Sequence, residues 1–85
     1  MTIEDMFERL KQNVDTEILI DDFSIYLTNY THPSEIDKFA DTVTDSVYEN
    51  GILNNEKLLD AMFKYFNEYA EGFTLICIRN YNIMI

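Results

Sequence analysis

Asp37, Asp41, Asp45 and Glu49 recur at every fourth position through the middle of the chain. On a helix, rising about 1.5 Å per residue, this sets successive carboxylates roughly 6 Å apart along the axis, on a ridge that turns slowly around it. The chemistry this allows is cation recognition. Spaced negative charges are offered to a partner rich in Lys and Arg, and carboxylates make strong charge-assisted contacts to arginine. The spacing is of the order of that between neighbouring phosphates on a nucleic-acid strand, so a groove that normally holds phosphates would attract the ridge. Glu35 flanks it. Tyr48 lies off the apolar stripe of the same segment, between Asp41 and Asp45 in angular terms, and a tyrosine among acids has the make-up of a binding hot spot. Folding gains nothing from the pattern. Like charges four apart on a helix repel, aspartate is a poor interior helix former, and Asp45 and Glu49 oppose the dipole at the helix end. The plainer alternative is a solvated acidic face, with Tyr48 half-covered by a neighbouring strand.

Other residue types give little chemistry. His32 is the only histidine and precedes a proline, which assigns it to a loop or cap. Cys77 is the only cysteine and sits in an apolar run, where a thiolate is disfavoured, so an inert core role is expected. No Gly-rich phosphate loop, paired-histidine zinc motif or nucleophile elbow occurs. A calcium loop begun at Asp37, Asp41 or Asp45 would place Thr42, Ser46 or Asn50 where glycine is required, so none fits. Asp45-Ser46-Val47 is superficially like the Asp-Ser-Leu motif of acyl carrier proteins. That motif opens a helix, however, whereas Ser46 falls in the last turns of one, shortly before Gly51. The expectation is therefore no catalytic residue, no metal and no cofactor.

The charge distribution narrows the partners. The formal net charge of the 85 residues is −10. Residues 15–49 hold nine acids against Lys38 alone, whereas the segments on either side are each net −1. Phosphates would repel such a chain at long range, so DNA, RNA and anionic membranes are disfavoured as direct partners and a basic protein surface is favoured. Solubility alone does not require so lopsided a distribution. No apolar run approaches the roughly 20 residues that span a bilayer. Met1–Asp5 is acidic rather than basic-then-apolar, so no signal peptide is expected, and a lone cysteine suits a reducing compartment; the expected location is the cytoplasm.

The elements that must position these residues follow from periodicity. Eighty-five residues make one domain, residues 1–85, whose 47% apolar content must stabilise it without disulfide or zinc. Thr2 and Asp5 form a capping box for a first helix with Ile3, Met6, Phe7 and Leu10 on one face, fading near Asn13. Asp5 and Arg9 make an i,i+4 pair on its other face. Residues 16–30 alternate as Phe23, Ile25, Leu27 against Ser24, Tyr26, Thr28, which predicts β structure. It is either a hairpin turning at Asp21-Asp22 or one interrupted strand. In the hairpin form, Asp21 and Asp22 extend the acidic surface, although plain turn chemistry also accounts for the pair. A helical projection gathers Leu19, Phe23, Tyr26, Leu27 and Tyr30 on one side but leaves Ile18 and Ile25 facing the other way.

Pro33 breaks the chain, and Ser34 caps a helix running to about Glu49, with Ile36, Phe39, Ala40, Val43 and Val47 as its apolar stripe. Asn50-Gly51 ends it. Asn54 or Asn55 caps the next helix, whose apolar arc runs from Leu58 to Ala70, and Gly72 stops it. The short connection makes these two helices antiparallel neighbours. Asp60 and Lys64 pair along this helix. Phe73–Ile78 reads as a buried strand, and Asn80–Asn82 as a turn or bulge before Ile83-Met84-Ile85. The predicted class is α+β, three helices packed on a small two- or three-stranded sheet, in the order α-β(β)-α-α-β.

Phe66–Ile78 resembles the closing segment of barstar and of some nuclease-colicin immunity proteins, acidic ribonuclease inhibitors of similar size. The resemblance is helix, glycine, strand. The chain opens with a helix where barstar opens with a strand, and no residue roles are carried over. The leading functional expectation is a small acidic inhibitor, not an enzyme, that occupies the basic nucleic-acid-binding surface of a DNA- or RNA-handling enzyme. Nucleic-acid mimics of phages and mobile elements work this way, among them some anti-CRISPR and anti-restriction proteins. An immunity protein or antitoxin against a nuclease is the alternative. An assembly subunit, homodimeric through Ile83-Met84-Ile85, is the third reading, prompted by 14% aromatic residues in a small chain.

Overall fold

In a computed structural model that describes residues 2–84, the chain is five helices and one minimal hairpin. Helix α1 spans Ile3–Asn13, α2 Thr16–Tyr30 and α3 Pro33–Val47. Strands β1 (Tyr48–Glu49) and β2 (Ile52–Leu53) pair antiparallel before α4 (Asn55–Tyr65) and α5 (Asn67–Asn80). The α+β expectation is overturned: no sheet exists among the described residues beyond this two-residue pairing.

Residues 16–30 form a helix rather than the expected strand or hairpin. Asp15 starts it, its Oδ1 accepting from the Glu17 backbone N–H at 2.9 Å. Leu19, Phe23 and Leu27, spaced four apart, are all within 1% of complete burial. Ile25 is 63% exposed and Ile18 49% exposed. The alternation that suggested a strand was local, whereas the core took the side of the helix that could meet α4 and α5. Asp21 and Asp22 therefore lie within a helix and form no turn.

Phe73–Ile78 is likewise helix and not the expected buried strand. This run continues α5, with Phe73, Thr74, Cys77 and Ile78 buried and Leu75 and Ile76 facing out. A short apolar run carries no periodicity that separates strand from helix. Gly72 does not stop the helix. It lies inside α5, where a Cβ would come within 2.6 Å of the Tyr26 hydroxyl, so its bare backbone admits the tyrosine. The break falls instead at Phe66, whose backbone leaves helical geometry between α4 and α5 while its ring stays buried against Phe39. With helix in place of strand after Gly72, the resemblance of Phe66–Ile78 to barstar and the immunity proteins lapses.

Helix α4 is the hub. It packs on α2, α3 and α5, and α1 lies against α5. One core joins all five helices: Phe7 and Leu10 from α1, Leu19, Phe23 and Leu27 from α2, Phe39 from α3, Leu59 and Met62 from α4, and Ala70, Phe73 and Cys77 from α5, with Phe66 at the junction. Stacked rings tie it together, Phe23 on Phe73 at 4.3 Å and Phe7 on Phe63 at 4.2 Å between centroids. The Thr2–Asp5 capping box forms as expected. The Asp5–Arg9 and Asp60–Lys64 pairs do not: the Arg9 guanidinium donates to the Met84 carbonyl at 2.9 Å, and Asp60 receives Lys11 at 2.8 Å.

Candidate functional site

Helix α3 is held from its apolar side. Phe39 and Val47 are buried and Ile36 and Val43 half-buried, all toward α4 and the core. Ala40, expected on that stripe, is exposed. The helix begins two residues earlier than a Ser34 cap implies: His32 is the N-cap, its Nδ1 accepting from the Ser34 backbone N–H at 3.1 Å, and Pro33 occupies the first helical position. Both choices suit a helix start, since proline lacks the N–H that would go unpaired there.

With the apolar side fixed, Asp37, Asp41 and Asp45 must face solvent, and all are exposed. None of them makes an ion pair or side-chain hydrogen bond among the described residues. Neighbouring hydroxyls do not compensate, because Thr42, Thr44 and Ser46 all donate to carbonyls of their own helix. Glu35 in the first turn holds Lys38 at 3.4 Å.

Glu49 and Tyr48 are placed differently from the sequence reading. The helix ends at Val47, not Glu49. Asn50 and Gly51 both take positive φ, 53° and 78°, the pattern of a tight two-residue hairpin turn, and Asn54 N–H donates to the Val47 carbonyl at 2.8 Å. Asn-Gly thus reverses the chain as a hairpin rather than capping α3. Glu49, on β1, pairs with Lys57 of α4. The Lys57 hydrogen bond, then that of Asn54, then the Lys57 charge hold its carboxyl below the usual range. Tyr48 is exposed, opposite Leu53 in the hairpin and outside the helical ridge.

Asp21 and Asp22 do not extend the α3 surface by the expected hairpin. Asp21 is exposed on α2, while Asp22 turns toward the end of α5 and accepts from the Tyr81 hydroxyl at 2.5 Å. That hydrogen bond, followed by desolvation, pushes the Tyr81 phenol up to about 12. Cys77 is buried, and burial together with the nearby Asp22 charge pushes its thiol up to about 11. Such a group is a poor nucleophile near neutrality. No cluster of His, Cys, Asp or Glu suited to a metal ion occurs among the described residues. None of the described helices is long and apolar enough to cross a membrane.

Three acids of α1 and α4 are compensated where Asp37, Asp41 and Asp45 on α3 are not. Lys11, its side chain 9% exposed, lies 2.9 Å from Glu8, 2.8 Å from Asp60 and 3.9 Å from Glu56. Its desolvation opposes the charge, but the bonds to Asp60 and Glu8 outweigh it and raise its pKa. The sequence reading named none of these partners: Glu8 lies three residues away on α1, and Glu56 and Asp60 depend on how α1 meets α4. At the C-terminal end Ile83 packs against the core and Met84 is exposed; Ile85, the last residue of the expected dimer patch, lies outside the described residues. No protein-family model, curated protein or solved structure matches this chain.

Proposed function

We propose that the chain is a small acidic inhibitor that presses the outer face of α3 into a cationic, nucleic-acid-binding groove of an enzyme. The observation that carries this reading is the exposed row Asp37, Asp41, Asp45, without ion pairs among the described residues, on a helix whose opposite side is anchored in the core. Successive carboxylates along the row are roughly 6 Å apart along the helix. The same chain gathers three acids around Lys11 and pairs Glu49 with Lys57. Among the described residues Glu4, Glu17, Asp21, Glu68 and Glu71 are unpaired like the α3 row, so it is the regular spacing of Asp37, Asp41 and Asp45 on one helix face that sets the row apart. Docking would place these carboxylates against Arg and Lys side chains in a partly desolvated groove, where charge-assisted hydrogen bonds strengthen. Glu35 contributes at the ridge's beginning, and Tyr48 at its end as an exposed aromatic on the adjoining hairpin; Glu49, already paired, contributes less. The inhibitor acts on cytoplasmic enzymes, and an immunity protein directed at a nuclease toxin would use the same surface.

The test is charge reversal. Asp37→Lys, Asp41→Lys and Asp45→Lys combined should keep the helical circular dichroism spectrum but lose salt-sensitive capture of nucleic-acid-handling proteins from a lysate. Undiminished capture by the folded triple variant sinks the proposal.

Self-association is a second reading, favoured by exposed Ile25 and Ile76 on the two sides of the α2–α5 groove. Sedimentation over a concentration range, at low and high salt, separates the two: salt-insensitive dimerisation supports assembly.

A further inference from the structure

At the end of α2, the start of α3 and the α4–α5 junction lies a concavity of about 310 Å³, walled by Tyr30, Tyr65 and Tyr69 with Glu35, Glu68 and His32. Ligand pockets generally run from about 300 to 1,000 Å³, so this one stands at the small end of that range, with room for a single side chain. Its aromatic walls are braced. Tyr30 lies 4.6 Å from Tyr26, and Tyr65 lies 4.9 Å from Phe66 and 5.2 Å from Phe39, centroid to centroid. Tyr30 and Tyr69 face the space with centroids 6.4 Å apart and planes inclined by 31°. Tyr30 remains 58% exposed and Tyr65 41% exposed, a large aromatic surface to leave in water. Glu68 has no ion-pair partner among the described residues, and Glu35 has only Lys38.

We infer that this concavity receives one arginine side chain of a protein partner, the guanidinium lying against the tyrosine rings and donating to Glu35 and Glu68. The inference rests on the cationic-partner reading above and deepens it, because Glu35 belongs both to the pocket and to the first turn of the ridge helix. Ring faces attract cations, and a planar guanidinium can stack on them while its N–H groups reach carboxylates. A lysine ammonium reaches the carboxylates as a point charge but does not stack. A nucleobase could stack too, but it brings phosphates toward a chain of net charge −10 and toward the pocket's own carboxylates. The α3 N-terminus, partly positive, works against a cation. His32 caps that end through its Nδ1, which accepts from the Ser34 backbone N–H, and Pro33 fills the first helical position.

The full chain is titrated with N-acetyl-arginine amide and, separately, with N-acetyl-citrulline amide, which is close in shape but uncharged. The readout is the tyrosine ring resonances by NMR. Arginine amide should give saturable shifts at Tyr30, Tyr65 and Tyr69, with citrulline amide weaker by about tenfold. Tyr30→Ser and Glu68→Gln should each weaken the arginine response several-fold, and Glu68→Gln, at an exposed position without an ion pair among the described residues, should do so without moving the thermal unfolding midpoint. Equal binding of citrulline amide, no saturable response, or a response unaffected by both variants overturns the inference. The Asp37, Asp41 and Asp45 triple reversal should leave this titration unchanged. A failed titration with partner capture still abolished by the reversal removes the pocket alone, and a successful titration with capture untouched removes the ridge alone.

Discussion

Gly72 of α5 and Tyr26 of α2 are shaped to each other: a methyl group on Gly72 would lie 2.6 Å from the tyrosine hydroxyl oxygen but 3.7 Å from the ring carbon that bears it. Glycine in a helix interior ordinarily costs about 1 kcal/mol relative to alanine. Here that cost is offset by the close approach of two helices. The ring cannot simply swing away, because Phe73, Tyr30 and Phe23 surround it at 5.7, 4.6 and 6.5 Å.

Gly72→Ala should therefore destabilise the fold by about 1–2 kcal/mol, the usual scale of overpacking, despite its better helix propensity. Removing the hydroxyl as well should reverse the sign. Tyr26→Phe with Gly72→Ala should be at least as stable as the parent, by up to about 1 kcal/mol. A double-mutant cycle by urea denaturation measures the coupling, and additive effects would refute the contact.

On α3, stability and the proposed function should pull apart. Asp45 lies in the last turn, where a negative charge opposes the helix dipole, and it is four residues from Asp41. Asp45→Lys should raise stability by about 0.5–1 kcal/mol, more at low salt than at high salt, while weakening partner capture. A stabilised variant that binds unchanged would count against the ridge.

Gly51 holds φ of +78° in the hairpin turn with open space around its Cα. Gly51→Ala should cost about 1 kcal/mol through backbone strain alone, with no steric component. Gly51→Asn should recover part of the loss, since asparagine tolerates the left-handed region. Thermal unfolding of the three proteins gives the order.

The buried thiol sets an alkaline limit. The folded-state pKa of Cys77 is raised, mainly by burial and then by Asp22, to about 11. The stability linked to the protonated thiol is therefore complete below its ordinary value of about 8.5 and lost as pH rises through about 11. Tyr81, raised to about 12 by its bond to Asp22, acts with the same sign at higher pH. The unfolding midpoint should fall between about pH 8.5 and about 11, and fall less steeply in Cys77→Ala. At pH 8, labelling of Cys77 by a thiol reagent should track the unfolded fraction.

The opening capping box, most of the apolar stripe of α3 and the burial of Cys77 were legible in the chain itself, and Asn50-Gly51 was legible as a break, although as a helix cap rather than the hairpin turn it forms. Each rests on neighbours within a few positions, where propensity and capping act. Exposure of Asp37, Asp41 and Asp45 follows from the same periodicity once Ile36, Phe39, Val43 and Val47 turn inward. Helix or strand at residues 16–30 and 73–78 was decided elsewhere. Both segments are apolar enough for either state, and the outcome depends on α4 presenting a helix-shaped surface and Gly72 making room for Tyr26. The loss of Glu49 to Lys57, the ion pairs of Lys11 with α4 and the gathering of Tyr30, Tyr65 and Tyr69 around one hollow likewise needed the assembled helices. These join residues distant in sequence, and no local pattern encodes which partners the packing brings within reach.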